Sequence, residues 1–286
     1  MSELGRIQSL FEEELIKGLK FLGKKTPLSS ACEYALQGGG KRVRPLIVNL
    51  IQEALGSKKI PEAALSVEFF HTASLIADDL PCMDNDDFRR NNPSLHSAVG
   101  ETTALLASYA LISSAYEMIE RAAAKLTPEV GMLALGLASR CAGISGATGG
   151  QYADLFENGR DWETLKRVIE QKTITLFEVA FAFGWLFGQG DLHRIEEVKE
   201  LAYHFGMAFQ VGDDLVDFQN DVDQANPMNS AICLGKEGAR ELFLNEVERF
   251  KQGLKALNLQ TKGFEELVQK LESLGVLAPE FLTQSH

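Results

Sequence analysis

Apolar residues recur at steps of three and four along almost the whole chain: Leu46, Ile47, Leu50, Ile51 and Leu55, then Leu65, Phe69, Ala73 and Ile76, then Leu105, Leu106, Tyr109 and Ile112. That period gives each segment one apolar stripe and predicts α-helices, and the strict alternation of half-buried strands is missing. The helices are expected to break at "TPLS" (26–29), "GSKKIPE" (56–62), "LPCMDNDDFRRNNPSLH" (80–96), "LTPE" (126–129), "ENGRDW" (157–162), "GQGDLH" (188–193) and "DQANPMN" (223–229). Each break supplies Pro, Gly, Asn or Asp, the residues of turns and caps. The pattern reads as an all-α chain of about ten helices. Neither a Pro/Ser/Gly-rich linker nor a shift of composition divides the 286 residues, so a single domain over 1–286 is expected.

Composition narrows the function classes. A chain that is 45% apolar and 24% charged has the material for a large core. Its formal net charge of −12 argues against nucleic acid, which needs a basic face to neutralise phosphates. The opening "MSELGRIQSLFEEELIKGLK" reads as an amphipathic helix, because acids replace the basic start and apolar core of a signal peptide. The stretch "ITLFEVAFAFGWLFG" (174–188) falls short of the ~20 residues that span a bilayer and contains Glu178, so a buried helix without membrane insertion is expected. Cys32, Cys82, Cys141 and Cys233 are far apart and lack zinc spacing, which suits reduced thiols of a cytoplasmic protein.

Two acidic segments change the picture. In "DDLPCMDNDDFRR" (78–90) five aspartates follow an apolar helix, where the negative pole of the helix dipole disfavours them unless a cation compensates. Pro81 interrupts the helix and lets Asp84 curl back toward Asp78 and Asp79. In "DDLVDFQND" (213–221), Asp213, Asp217 and Asp221 stand four apart on one helical face, where like charges repel. Both segments end an apolar helical turn in two aspartates, so the two acidic ends are expected to face each other across a cavity. Oxygen donors without Cys or His suit Mg²⁺, which takes one or two carboxylates, waters and substrate phosphates. An EF-hand is excluded by the missing glycine and terminal glutamate. Phosphate also accounts for the bases: "GGGKRVRP" (38–45) supplies Lys41, Arg42 and Arg44 behind three glycines that let backbone approach an anion, and Arg89 and Arg90 follow the first acidic cluster. The fixed spacing of a nucleotide P-loop is absent.

Together "GGGKRVRP", "HTASLIADDLPCMDNDDFRR", "GGQYAD", "QKT" and "FQVGDDLVD" resemble the trans-type isoprenyl diphosphate synthases of the short-chain bacterial group, which includes farnesyl and geranylgeranyl diphosphate synthases. The resemblance runs from about residue 35 to about 220 and implies an isoprenoid-synthase helical bundle around a deep central cavity. By that resemblance Asp78, Asp79, Asp84, Asp213, Asp214 and Asp217 hold Mg²⁺, three ions per site with substrate bound, on the diphosphate of an allylic substrate. Arg89 grips the same diphosphate. Lys41, Arg44, His71 and Arg90 match the residues that bind isopentenyl diphosphate. Lys172, Thr173, Gln210 and Gln151 match positions lining the reacting carbons, with Lys172 also facing the allylic diphosphate. The implied reaction ionises the allylic C–O bond, adds the alkene of isopentenyl diphosphate to the cation and loses a proton, with dimethylallyl, geranyl or farnesyl diphosphate as starter. Electrostatic preorganisation and exclusion of water are then the protein's share. Relatives form homodimers, and the apolar helical stretch 104–119 is the expected two-fold interface.

Three departures qualify the resemblance. Ala73 and Ser74 stand where short-product relatives carry an aromatic, which opens the cavity floor down to Phe70 and Phe69 and leaves fifteen- and twenty-carbon products both open. Ala107-Ser108 replaces a Gly-Asp common in relatives. After Asp221 the chain reads "DVDQANPMNSAICLGKEGAR", in place of a loop with a lysine followed by Thr-Tyr-Pro. That loss keeps a second reading open, a catalytically impaired paralogue that partners another prenyl synthase. A terpene cyclase would need Asn, Ser/Thr and Glu at four-residue steps, where the chain has Asn220, Gln224 and Met228.

Overall fold

The computed structural model describes residues 1–157, 161–223 and 228–276. Among them lie thirteen α-helices: α1 (Glu3–Gly18), α2 (Pro27–Gln37), α3 (Val43–Ala54), α4 (Pro61–Asp78), α5 (Leu95–Val99), α6 (Glu101–Ala123), α7 (Pro128–Ala142), α8 (Ala147–Phe156), α9 (Trp162–Val168), α10 (Thr175–Phe187), α11 (Ile195–Asp223), α12 (Ser230–Ala256) and α13 (Lys262–Val276). The all-α class holds. The count exceeds ten because α5 and α9 are single short pieces and because the apolar run from 128 breaks into two helices. One feature lay outside the helical reading: β1 (Phe88–Arg89) and β2 (Asn92–Pro93) pair antiparallel, Arg89 opposite Asn92.

Several expected breaks are caps. Thr26 accepts from the Ser29 backbone while the Ser29 hydroxyl accepts from Thr26, a reciprocal box, and Pro27 follows at the first helical position. Asp161 receives the Thr164 N–H at 3.0 Å at the start of α9. Residues 224–227 of the break at 223–229 lie outside the described residues; its last residue, Asn229, caps α12. Between α9 and α10, Ile169–Ile174 is a π-helical turn, one residue wider than an α-helical turn.

The chain divides into two compact units, one of residues 5–137 and 183–190, the other of 2–4, 138–182 and 191 onward. In the first, α4 is buried nearly all round, from Ala63 to Ile76. Against α6, the Ser108 hydroxyl donates to the Ala73 carbonyl at 2.9 Å. Phe70 meets Tyr116 edge to face at 5.1 Å between ring centres. In the second unit, Phe177, Phe181, Phe205 and Phe250 interlock at 5.0–6.0 Å, worth about 0.5–1.5 kcal/mol per aromatic pair beyond burial. These rings have no measurable exposure to solvent beyond 1%, so this part of the Phe-rich segment is core.

Without its break, Pro128–Phe156 would be a 29-residue span containing an 18-residue stretch of mean hydropathy 1.3, long and apolar enough for a bilayer. The turn at 143–146 divides it into helices of 15 and 10 residues, each short of the ~20 required. All four cysteines are free thiols. Burial pushes Cys32 up to about 11 and Cys141 up to about 12, far from the reactive thiolate range.

Candidate active site

In the first unit α4 ends at Asp78, and Pro81 turns the chain so that the Asp84 N–H donates to the Asp78 carbonyl at 2.9 Å. The curl-back expected from the sequence is present. The compensating cation is Arg89: its Nε donates to Asp79 Oδ1 at 2.8 Å, its Nη2 reaches the same oxygen, and Nη2 also lies 3.2 Å from Asp86 Oδ2. Asp79 is 3% exposed.

Arg90 follows Arg89 immediately yet serves a different place, and the hairpin explains why. Arg90 and Asn91 form its two-residue turn with φ of 53° and 65°, both left-handed. The chain reverses there, and Arg90 Nη1 donates to the Gly39 carbonyl. The guanidinium occupies the space that a Cβ on Gly40 would fill, and Gly40 itself holds φ +124°. The glycine run expected to cradle an anion is therefore, at Gly40, the seat of an arginine.

The three bases of "GGGKRVRP" separate. Arg42 is 3% exposed and structural: it donates to Glu68 Oε1, to Glu12 Oε1 at 2.9 Å and to the Leu36 carbonyl at 2.6 Å. This corrects its reading as a phosphate-binding base. Lys41 is exposed. Arg44 Nη1 lies 3.4 Å from His71 Nε2. His71 Nδ1 is enclosed without a hydrogen-bond partner. Burial, with Arg44 and Arg90 nearby, holds His71 well below the usual histidine range, so the ring is neutral near pH 7. Burial also lowers Arg90, which stays cationic as arginine does in proteins. A small cleft of about 50 Å³, bordered by Tyr34, Thr72, Asp79, Arg89, Arg90 and Asn92, opens beside these groups. Of the positions expected to set product length, Ala73 is 1% exposed and lies in the α4–α6 contact, Ser74 is half-buried with its hydroxyl on the His71 carbonyl, and Phe70 is 5% exposed.

In the second unit the π-helical turn carries Lys172 and Thr173. It meets α8 at Gly150, where any Cβ would run into the backbone of Gln171 and Lys172. Lys172 Nζ donates to Asp154 Oδ2 at 2.5 Å. Thr173 Oγ1 donates to Gln210 Oε1 at 3.0 Å, and Gln210 Nε2 donates to Asp214 Oδ1 at 2.9 Å. Asp214 Oδ2 takes the Ser230 N–H at 2.8 Å. Burial raises the Asp214 carboxyl against the pull of these donors. Both Gln151 amide atoms are enclosed without hydrogen-bond partners. Asp213 is half-buried and Asp217 exposed.

Asp78 and Asp84 in the first unit, and Asp213 and Asp217 in the second, each offer carboxylate oxygen alone, the donor type of a hard cation. Among the described residues no three acidic, histidine or cysteine side chains are gathered closely enough to hold an ion by themselves. Sequence reasoning assigned no role to Glu68, Asp154 or Asn229, although Asp154 closes the "GGQYAD" motif. The first two pair with partners 26 and 18 residues away, for which no local pattern exists. Asn229 carried a signal, an Asn directly ahead of a helical run.

The sequence profile of the polyprenyl synthetase family matches residues 25–235. The chain is 36% identical over 228 residues to geranylgeranyl pyrophosphate synthase 7, chloroplastic, of Arabidopsis thaliana, covering 77% of this chain and 62% of that protein. It is 35% identical over 263 residues to the farnesyl diphosphate synthase of Geobacillus stearothermophilus, covering 85% and 87%. Among solved structures it superposes on an FPP/GFPP synthase from Zymomonas mobilis with a TM-score of 0.85, 27% identity and coverage of 95% and 98%. The chain thus spans less than two thirds of the plant relative and most of the bacterial one.

Proposed function

The chain belongs to the polyprenyl synthetase family, and from that membership we propose that it is a trans-prenyltransferase joining isopentenyl diphosphate to an allylic diphosphate, with farnesyl or geranylgeranyl diphosphate as product. The observation that carries the proposal is the cationic set Arg44, Arg89 and Arg90 around neutral His71 and the Asp79 carboxylate, beside a small cleft. Such a set matches diphosphate, which Arg binds by two-pronged, charge-assisted hydrogen bonds. We read both units as parts of one cytoplasmic catalytic domain.

In this reading Lys41, Arg44, His71 and Arg90 bind isopentenyl diphosphate. Arg89 and Lys172 hold the allylic diphosphate, and each exchanges a carboxylate partner, Asp79 or Asp154, for substrate. Asp78, Asp79, Asp84, Asp213, Asp214 and Asp217 are the proposed environment of Mg²⁺, three ions per site. Bound Mg²⁺ would neutralise charge on the departing diphosphate. Thr173, Gln210 and Gln151 orient the reacting carbons, and their enclosure excludes water from a carbocation. Ser74 and Phe70 form the proposed floor, with Ala73 acting through its packing on α6. A homodimer is proposed on the exposed stripe Leu105, Leu106, Tyr109 and Ile112 of α6 with Met132 and Leu133 of α7. The departure after Asp221 favours the impaired-paralogue reading as the second choice.

The test is product analysis of the purified chain with Mg²⁺, labelled isopentenyl diphosphate and each of dimethylallyl, geranyl and farnesyl diphosphate. A prenyl diphosphate of fifteen or twenty carbons is expected. Folded protein that binds Mg²⁺-diphosphate and forms no product with any starter overturns the transferase reading.

A further inference from the structure

Asn229 has no measurable exposure to solvent, and all of its side-chain hydrogen-bonding capacity is directed at two helices. Its Oδ1 accepts from Ala231 N at 2.8 Å and Ile232 N at 3.3 Å, which caps α12. Its Nδ2 donates at 2.8 Å to the Asp214 carbonyl and at 2.7 Å to Asp221 Oδ2, two acceptors on α11 two turns apart. The next residue, Ser230, gives its N–H to the Asp214 carboxylate. The start of α12 therefore grips both the backbone and the side chain of Asp214. From Asp214 the hydrogen bonds continue through Gln210 to Thr173 in the π-helical turn, beside Lys172.

Neither Asn229 nor Ser230 needs to touch a substrate for this arrangement to matter. A carboxylate buried to 6% exposure has few orientations that satisfy both oxygens. Once Ser230 N fixes Oδ2, Oδ1 is committed to the Gln210 amide. The amide is then committed to present Oε1 to Thr173, since its two ends have opposite hydrogen-bonding character. The orientation of the Thr173 hydroxyl, on a turn assigned to the reacting carbons, is set from the first residues of α12.

We propose that Asn229, with the Ser230 backbone, is a positioning residue that latches α12 onto Asp214 and Asp221 and thereby orients the Gln210–Thr173 pair. The inference rests on the prenyltransferase reading. It also gives Asp221, the outermost acid of the stripe, a job as latch acceptor in place of cation ligand.

Two substitutions in the full chain separate positioning from stability. Ser230 is the first residue of α12, where proline is well tolerated, and Asn229 already has the extended φ −135° and ψ 130° suited to a residue before proline. Ser230→Pro thus removes the N–H to Asp214 and leaves the helix start intact. Asn229→Asp keeps the cap, since Asp caps as well as Asn, but loses both donated hydrogen bonds and sets a carboxylate against Asp221. Each is expected to lower kcat roughly tenfold while KM for isopentenyl diphosphate changes less than about twofold. Ser230→Pro leaves a buried Asp214 oxygen without its donor, so its thermal midpoint is expected to fall by several degrees, and kcat is compared well below the lower midpoint. Adding Asp221→Asn to Asn229→Asp reverses the donor and acceptor and is expected to restore part of the lost kcat.

Ser230→Pro with parental kcat overturns the proposal, as does a kcat loss that follows the thermal midpoint in both variants without rescue by Asp221→Asn. If the parent forms no product, the transferase reading fails by itself. The latch is then judged by calorimetry of Mg²⁺ with inorganic diphosphate: about threefold weaker binding in both variants supports it and unchanged binding overturns it.

Discussion

Glu68→Gln is the sharpest test of how the first unit is held together. Glu68 is 1% exposed, and its partner Arg42 is 3% exposed, in the left-handed conformation at φ 50° that starts α3 between Lys41 and Arg44. Burial pushes the Glu68 carboxyl up against the pull of Arg42. Removing one member of a buried ion pair costs about 3–5 kcal/mol, because the remaining charge has lost its compensation. Here Arg42 keeps Glu12, whose side chain is 39% exposed, and the Leu36 carbonyl, so the lower end, about 3 kcal/mol, applies. At roughly 2–4 °C per kcal/mol, Glu68→Gln should lower the thermal midpoint by about 6–12 °C. Glu12→Gln, at the partly exposed arm, should cost no more than about 1 kcal/mol. Thermal unfolding by circular dichroism of the three proteins decides the matter. Equal shifts for the two variants, or a Glu68→Gln midpoint within about 2 °C of the parent, would refute the assignment of the pair as the main buried charge contact.

The remaining predictions concern single groups. His71 is held below its ordinary 6.5 in the folded chain. The unfolded chain therefore takes up a proton that the folded chain refuses, and stability is lost as pH falls through 6.5 toward the folded value. His71→Gln should flatten that slope in urea unfolding between about pH 7.5 and about pH 5.5, and equal slopes would count against it. Gly40→Ala displaces the Arg90 guanidinium and should raise KM for isopentenyl diphosphate roughly tenfold with a smaller change in kcat; a parental KM would contradict the seat. Phe205→Ala opens a cavity among Phe177, Phe181, Phe209 and Phe250 and should cost about 3–5 kcal/mol in denaturant unfolding.

Helices and their breaks were legible because burial writes a period of three to four into the chain, and because Thr26, Pro61, Asp161 and Asn229 carry capping or first-turn chemistry. The curl of Asp84 onto Asp78 was legible for a similar reason, since Pro81 forces a local turn. The hairpin at 88–93 was not: its strands are two residues long, too short for alternation to register, and its turn residues Arg90 and Asn91 lack the usual glycine. Residue chemistry alone did not distinguish Arg42 from Arg44, although the family resemblance assigned only Arg44 to substrate. Both lie in one basic run, and only the fold brings Glu68 to the first and His71 to the second.

The wide turn at Ile169–Ile174 contains one residue more than an α-helix would use, and the Thr175 hydroxyl takes up the Gln171 carbonyl at 2.6 Å. Deleting a single residue there would heal the helix and leave α9 and α10 in phase, yet it would swing Lys172 or Thr173 by about 100° around the axis. The motif is thus specified by chain length as much as by residue identity. Substitutions can tune it one side chain at a time, whereas a one-residue deletion redirects Lys172 and Thr173 together while the flanking helices stay in phase.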